Sequence, residues 1–103
     1  MAVSSAKRSA LLPNVPTVAE SGVPAFEVTV WYAMLAPAGT PVPILAKLNA
    51  DLVKALTMPE VQRRFTENGV EAAASTPQQL AAFVKSEAVK WSRVVRDSGA
   101  RAD

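Results

Sequence analysis

EVTVWYAMLAPAGTP, residues 27–41, is the stretch that decides the fold, because it predicts a strand, a turn and a helix start in direct succession. Its first six residues alternate between two faces, with Val28, Val30 and Tyr32 on one and Glu27, Thr29 and Trp31 on the other. Such alternation is typical of a β-strand with one exposed face. Residues 33–36 are continuously apolar, which predicts that the far end of the strand is covered on both faces, as in a sheet between helices.

The end of this stretch predicts a turn and then a helix. Pro37 stops the strand, and Ala38-Gly39 turns the chain. Thr40 is a candidate N-cap, with Pro41 at the first helical position, where a missing N–H costs no hydrogen bond. A lone glycine before a helix lacks the spacing of a phosphate-binding loop. We therefore predict a structural turn.

Three helices are predicted after the strand. Apolar residues recur at helical spacing within residues 44–56, 61–65 and 80–95. Thr57 and Thr76 each stand three residues before a Glu or Gln with a proline between, which predicts two capping boxes. Gly69 and Gly99 follow the second and third patterns, and a glycine there is a helix stop signal.

The segments around these helices complete the predicted order. Residues 1–5 predict the end of a strand, and the prolines within 11–26 predict an extended crossing segment. Inside that segment Thr17 and Glu20 have capping-box spacing. Residues 70–74 predict a last short strand. The fold class is therefore α/β, in the order short β, crossing segment, β, α, α, β, α.

Composition excludes several classes of function. Half of the 103 residues are hydrophobic and 19% are charged, which is typical of a chain that folds or packs and not of a disordered tail. A net charge of +2, with basic residues spread along the chain, does not indicate nucleic acid. The chain has no cysteine and no histidine, so we predict no cofactor and no metal. No apolar run approaches the length of a membrane span, and residues 1–5 lack the pattern of a secretory signal.

The ionisable and hydroxyl residues do not predict a catalytic site. The threonines before the helices are explained by capping. Most acids are predicted to lie on solvated helix faces beside basic residues: Asp51, Glu60, Glu67, Glu87 and Asp97. Glu20 and Glu27 are the exceptions. Capping explains Glu20, whereas Glu27, at the entry to the central strand, is a candidate hinge or cleft residue. We predict that the protein is not an enzyme and has no catalytic residues.

Trp31 and Tyr32 are the candidate ligand-binding residues. They point to opposite faces of the predicted strand, so at most one of them faces a cleft on either side. Trp31 shares its face with polar residues, and an aromatic ring there is suited to lining a ligand site. Packing of Trp31 under a helix is an equal alternative at this point, whereas Trp91 lies on an apolar stripe and is predicted to be core.

Several segments together resemble a known family. They are AKRSALLPNVPTVAESGVPAFEVTVWYAMLAPAGTP (residues 6–41), LNADLVKAL (48–56), MPEVQRRFTENG (58–69) and TPQQLAAFVKSEAVKWSRVVRDSG (76–99). The chain resembles the C-terminal part of the Bug family, the TctC-like extracytoplasmic solute receptors of tripartite tricarboxylate transporters. The resemblance covers essentially the whole chain, and its sharpest element is the first of these segments.

The resemblance implies a fragment of a two-lobed periplasmic receptor with a type II periplasmic-binding-protein fold. Residues 1–26 would hold the end of one lobe and the crossing between lobes, and residues 27–103 would form the C-terminal α/β portion of the other lobe. Such receptors close on a small organic acid and present it to membrane permease subunits. Trp31 and Tyr32 match the family's aromatic position near the hinge, and no other residue is carried over as a ligand contact.

Two further expectations follow. A fragment of a sheet exposes strand edges, so we expect the isolated chain to associate with itself, by strand exchange for example. The alternative function is a stand-alone α/β interaction or structural module that binds a protein partner through its strand edges and has no small-molecule ligand. The reading frame upstream of residue 1 separates these two predictions.

Overall fold

Helical periodicity and proline placement produce three helices in the computed structural model, which describes residues 1–101. The helices are α1 (Val42–Leu56), α2 (Pro59–Glu67) and α3 (Pro77–Ser98), as the sequence predicts. Residues 102 and 103 of the predicted second unit lie outside the described residues. Within residues 1–101, each helix is too short or too polar to cross a lipid bilayer.

The helix starts follow the predicted capping incompletely. Thr76 forms the full capping box of α3: its hydroxyl accepts from the Gln79 N–H, and the Gln79 side chain accepts from the Thr76 N–H. The predicted caps Thr40 and Thr57 are wrong. Their hydroxyls donate instead to the carbonyls of the residues three before them, both at 2.8 Å.

Both starts shift by one residue, and proline explains the shift of α2. The residue before a proline is driven out of the helical region, so Met58 is extended and becomes the residue that precedes α2. This rule does not account for α1, where Val42 stands before Pro43 and is helical, and where Pro41, with ψ of 140°, precedes the helix. Neither Met58 nor Pro41 has a side chain that can cap. Thr57 falls instead at the end of α1.

The predicted glycine signals are confirmed. Gly69 and Gly99 follow α2 and α3 with φ of +71° and +67°, a left-handed conformation that favours glycine. Gly39 has φ of +83° in the turn after Pro37, where the Thr40 N–H donates to the Pro37 carbonyl. These three turns depend on local backbone chemistry alone.

The predicted strands do not form ladders among the described residues. Residues 27–37 and 70–75 have no regular secondary structure, and the β pairing within residues 1–101 is one isolated parallel bridge between Val3 and Thr17. The strand order predicted from the sequence is therefore not confirmed. The physical reason is that a strand requires neighbours, which the sequence pattern of one segment does not supply.

A network of short hydrogen bonds organises residues 1–28. The Val3 N–H donates to the Pro16 carbonyl and the Val18 N–H donates to the Val3 carbonyl, both at 2.9 Å, while the Val28 N–H donates to the Ser4 carbonyl at 2.8 Å. Residues 3 and 4 therefore lie between the crossing segment and the start of the central segment.

The packing of the whole is open. Within residues 1–101 no apolar side chain is fully buried. The accessible surface is 8630 Å², whereas a compact 10.9 kDa chain exposes about 5,600 Å². The radius of gyration is 16.7 Å, against about 13 Å for a compact domain of this length. About 3,000 Å² of surface that a finished domain would cover is thus exposed.

Candidate ligand-binding site

The predicted site residues lie on the segment 27–36, and α3 holds the first half of that segment. The Lys90 ammonium donates to the Glu27 main-chain carbonyl at 2.6 Å. Farther along the segment, the Trp31 ring meets the Phe83 ring edge to face, with centroids 5.1 Å apart. These contacts join residues more than fifty positions apart in sequence and hold the start of the segment against the helix.

A single carboxylate joins the two tryptophans. Glu87 Oε2 accepts a hydrogen bond from Trp91 Nε1 at 2.9 Å and another from Trp31 Nε1 at 3.3 Å. Trp31 is 39% exposed, and Glu87 and Trp91 are half-buried. The Lys90 ammonium lies 5.4 Å from the centre of the Trp91 ring, within range of a cation–π attraction. We call the three residues Trp31, Glu87 and Trp91 the tryptophan clasp.

From Val30 onward the other face of the segment is uncovered. Tyr32 is 86% exposed, and its neighbours on that face, Val30 and Met34, are 83% and 71% exposed. The structure thus brings Glu27 and Trp31 together against α3 and leaves Tyr32 on the opposite side, as the alternation in the sequence predicts. The roles of Trp31 and Tyr32 in ligand binding, and of Glu27 at a hinge, stay predictions.

Beyond Trp31 both faces of the segment are uncovered, since Leu35 is 75% exposed. The prediction that residues 33–36 are covered on both faces is therefore wrong.

Glu20 is the carboxylate with the most constrained environment. It accepts the Thr17 N–H at 2.7 Å and the Arg8 Nε–H at 3.0 Å, while the Glu20 N–H donates to the Thr17 hydroxyl. The predicted capping box is therefore confirmed. The Thr17 N–H, and after it the Arg8 guanidinium, hold the pKa of Glu20 below its ordinary value of 4.5. The group stays ionised and ties Arg8 to the crossing segment.

The depressions found on the described surface lie away from these residues. Two shallow depressions open to solvent lie on α3, lined by residues such as Lys85, Val89 and Arg93. They do not include Glu27, Trp31 or Tyr32. Within residues 1–101, no three acidic side chains cluster closely enough to hold a metal ion.

Sequence reasoning missed Glu87. The sequence predicts it on a solvated helix face, but it is half-buried and accepts two hydrogen bonds. A signal was present, because Glu87 falls on the stripe of α3 that also carries Phe83 and Trp91, and a carboxylate on an apolar stripe needs a donor. The identity of the distant donor, Trp31, could not be read from helical spacing.

Comparison with protein families shows to which family the chain belongs. The model of the tripartite tricarboxylate transporter family receptor, TctC, matches residues 1–100. The chain belongs to the TctC family. Among TctC-like relatives, it is 38% identical over 101 residues to Protein BugT of Bordetella pertussis, covering 98% of this chain and 31% of BugT. It is 39% identical over 101 residues to a UPF0065 protein of Agrobacterium vitis, covering 95% of this chain and 29% of that protein.

Solved structures show the same fold for this portion of a TctC-family protein. Protein Rpa4515 of R. palustris, solved with adipate, matches with a TM-score of 0.82 at 34% identity, over 96% of this chain and 33% of that chain. The periplasmic binding protein BugD matches with a TM-score of 0.80 at 39% identity, over 95% and 33%. The chain spans about three tenths of the length of the curated relatives it matches. The open arrangement is thus the one that similar segments adopt inside longer proteins.

Proposed function

We propose that this chain belongs to a periplasmic receptor that captures a small organic acid for a tripartite tricarboxylate-type transporter. The observation that carries the proposal is the match to Rpa4515, whose structure holds adipate, at a TM-score of 0.82 and 34% identity. Adipate is a dicarboxylate, which fits the tricarboxylate transport of the family description. The role is binding and delivery, without catalysis.

The open packing supports a segment of a longer receptor. The exposed surface exceeds that of a compact chain by about 3,000 Å², and the matched structures are about three times as long. We assign residues 1–26 to the end of one lobe and the crossing between lobes. Residues 27–103 form the C-terminal α/β portion of the other lobe. Membrane permease subunits of the transporter are the partners of the complete receptor.

The segment 27–32 is the region of this chain that we assign to the cleft. Glu27 stands at the hinge, where its carbonyl is tied to Lys90. The two aromatic side chains lie on opposite sides of the segment, so at most one of them faces the cleft. Trp31 would present ring surface, since its N–H is already donated to Glu87. Tyr32 would present an exposed phenol that can donate to a carboxylate. The remaining ligand contacts come from regions of the receptor outside these 103 residues.

Isothermal titration calorimetry tests the proposal. The complete gene product is titrated with mono-, di- and tricarboxylates, and the 103-residue chain is titrated alongside it. We expect binding heat from the complete protein with at least one acid and little from the short chain. Absence of heat with every acid for the complete protein contradicts the assigned ligand class. Tight binding by the short chain contradicts the view that most ligand contacts lie elsewhere.

The site residues need a variant test in the same protein. Trp31→Ala removes the ring, and we expect roughly tenfold weaker binding of the best acid, the effect of about 1.4 kcal/mol of lost contact. Val89→Ala is the matched control, because Val89 is an exposed apolar residue on α3 outside the segment. Unchanged affinity for Trp31→Ala would leave Trp31 as a packing residue only.

A further inference from the structure

The tryptophan clasp concentrates two donors on one acceptor atom. Two indole N–H groups, from Trp31 and Trp91, share Glu87 Oε2 at 3.3 Å and 2.9 Å. Hydrogen bonds to an ionised acceptor are stronger than neutral ones. Trp91 stands four residues after Glu87 on α3, so this pair is set by the helix itself. The bond to Trp31 is different, because it crosses from α3 to the segment 27–36.

Within the clasp, the Trp31 side chain of the segment is held to α3 by its hydrogen bond to Glu87. The neighbouring tie, from Lys90 to the Glu27 carbonyl, holds the main chain and leaves side-chain orientation free. The contact between the Trp31 and Phe83 rings is apolar and allows the indole to turn. The Glu87 carboxylate therefore decides which way the Trp31 indole points.

The same bond also divides the roles of the two aromatic residues. Indole nitrogen is a donor only and carries one hydrogen, so a Trp31 that donates to Glu87 has no N–H left for a solute carboxylate. Tyr32 follows directly and is 86% exposed, whereas Trp31 packs on Phe83. Holding Trp31 against α3 therefore keeps Tyr32 on the side that faces away from the helix.

We propose that Glu87 is a positioning residue for the segment 27–32: through its hydrogen bond to Trp31 it sets the orientation of Trp31 and, with it, the presentation of Tyr32. The effect on solute binding rests on the function proposed above. The orienting effect does not, since it concerns the protein without solute.

Nuclear magnetic resonance of the indole N–H groups tests the orienting effect directly, in the complete gene product without solute. Glu87→Ala removes the shared acceptor, and we expect the Trp31 and Trp91 indole proton resonances both to move upfield. Glu87→Gln keeps an amide oxygen that can still accept hydrogen bonds but carries no charge, so we expect a smaller shift and a partial rescue. Asp97→Asn is the control, because Asp97 lies in an exposed pair with Arg93 on the same helix, and it should shift neither resonance.

Calorimetry with the tightest-binding carboxylate of the panel then tests the consequence for binding. We expect about fivefold weaker binding for Glu87→Ala, the effect of about one net hydrogen bond, and less for Glu87→Gln. A Trp31 resonance that Glu87→Ala leaves in place overturns the proposal, whatever the affinity. Shifted resonances with unchanged affinity overturn the link from Glu87 to solute. If the wild-type protein binds no carboxylate, the proposed function fails, and the resonances still decide the orienting role.

Discussion

Residues 1–26 and the segment 27–36 are both largely irregular, yet they are held in opposite ways. The first region closes on itself through backbone hydrogen bonds, a capping box and the Arg8–Glu20 ion pair, and it contains Thr17, which is only 2% exposed. The second is held on one side by α3 and presents bare apolar side chains on the other.

The difference shows which features of a fold are locally determined. Polar contacts between residues a few positions apart form within the segment that carries them. An apolar face gains free energy only when something else covers it. Residues 1–26 are therefore expected to keep their structure in a short chain, whereas the outer face of 27–36 is expected to find another surface.

The largest predicted effect concerns that outer face. The 103-residue chain expressed alone should self-associate at micromolar concentration, because it exposes about 3,000 Å² beyond a compact chain and a stable interface needs only about 800 Å² per partner. Analytical ultracentrifugation measures the mass. A compact monomer throughout the micromolar range would contradict the expectation that the outer face of residues 27–36 needs a second surface to cover it.

The double variant Val30→Lys and Met34→Lys locates this association. Two charges on the outer face should oppose its pairing with a second chain and shift the protein toward the monomer. The matched control, Ala46→Lys and Ala50→Lys, adds the same charge to exposed positions of α1. We expect the control to leave the association in place. Equal dissociation by both variants would assign it to net charge instead of the segment.

A smaller effect is predicted at the capping box of residues 1–26. Thr17→Val removes the acceptor of the Glu20 N–H at a buried side chain, and leaving such a donor unpaired costs about 1–3 kcal/mol. Thr76→Val removes the same bond from the exposed box of α3 and should cost about 1 kcal/mol. Urea unfolding of the complete gene product compares them. A larger loss for Thr76→Val would contradict the greater importance of the buried box.

The smallest effect is a dependence on pH. The pKa of Glu20 is lower in the folded protein than its ordinary value of 4.5, so its ionisation stabilises the fold above that value. This contribution is lost as the pH falls through the lowered folded pKa. Glu20→Gln keeps a capping oxygen without the charge. The wild type should be the more stable protein at neutral pH, and the two stabilities should converge in acid, as measured by urea unfolding across pH.

The two boxes supply the control for this measurement. Gln79 occupies the place in the α3 box that Glu20 occupies in the first. Gln79→Glu should therefore add a contribution to the free energy of unfolding that is lost in acid. Gln79 itself cannot make this contribution, because its side chain carries no charge. A stability difference between wild type and Glu20→Gln that persists unchanged in acid would mean that the charge of Glu20 contributes nothing.

The sequence predicts those features of this fold that depend on neighbours along the chain. All three helices, the glycine stops and the boxes at Thr17 and Thr76 are confirmed. The predicted caps Thr40 and Thr57 are wrong, since each helix begins one residue later than predicted. At α2 the reason is that Met58 stands before a proline. Strand pairing is not confirmed, since it is decided by segments that are distant in sequence.

For the candidate site, too, the sequence predicts what depends on neighbouring residues and misses the contacts between distant ones. Alternation along residues 27–32 correctly separates Trp31 from Tyr32. The alternation does not say whether Trp31 contacts a helix, because its partner on α3, Glu87, is 56 positions away in sequence. The sequence assigns Glu87 to solvent because its spacing to basic residues resembles that of surface acids. Only the folded arrangement brings a second indole to it.

The three backbone bonds at Val3 and Ser4 matter to anyone who shortens this chain. A four-residue start with no helix or strand looks dispensable, but it is the shared neighbour of the crossing segment and of Val28. Trimming it would leave the Pro16 carbonyl and the Val28 N–H without these bonds, and it would remove what lies between the crossing segment and the central one. A cut, tag or fusion next to residues 3 and 4 is therefore expected to disturb the contact between the crossing segment and the central segment.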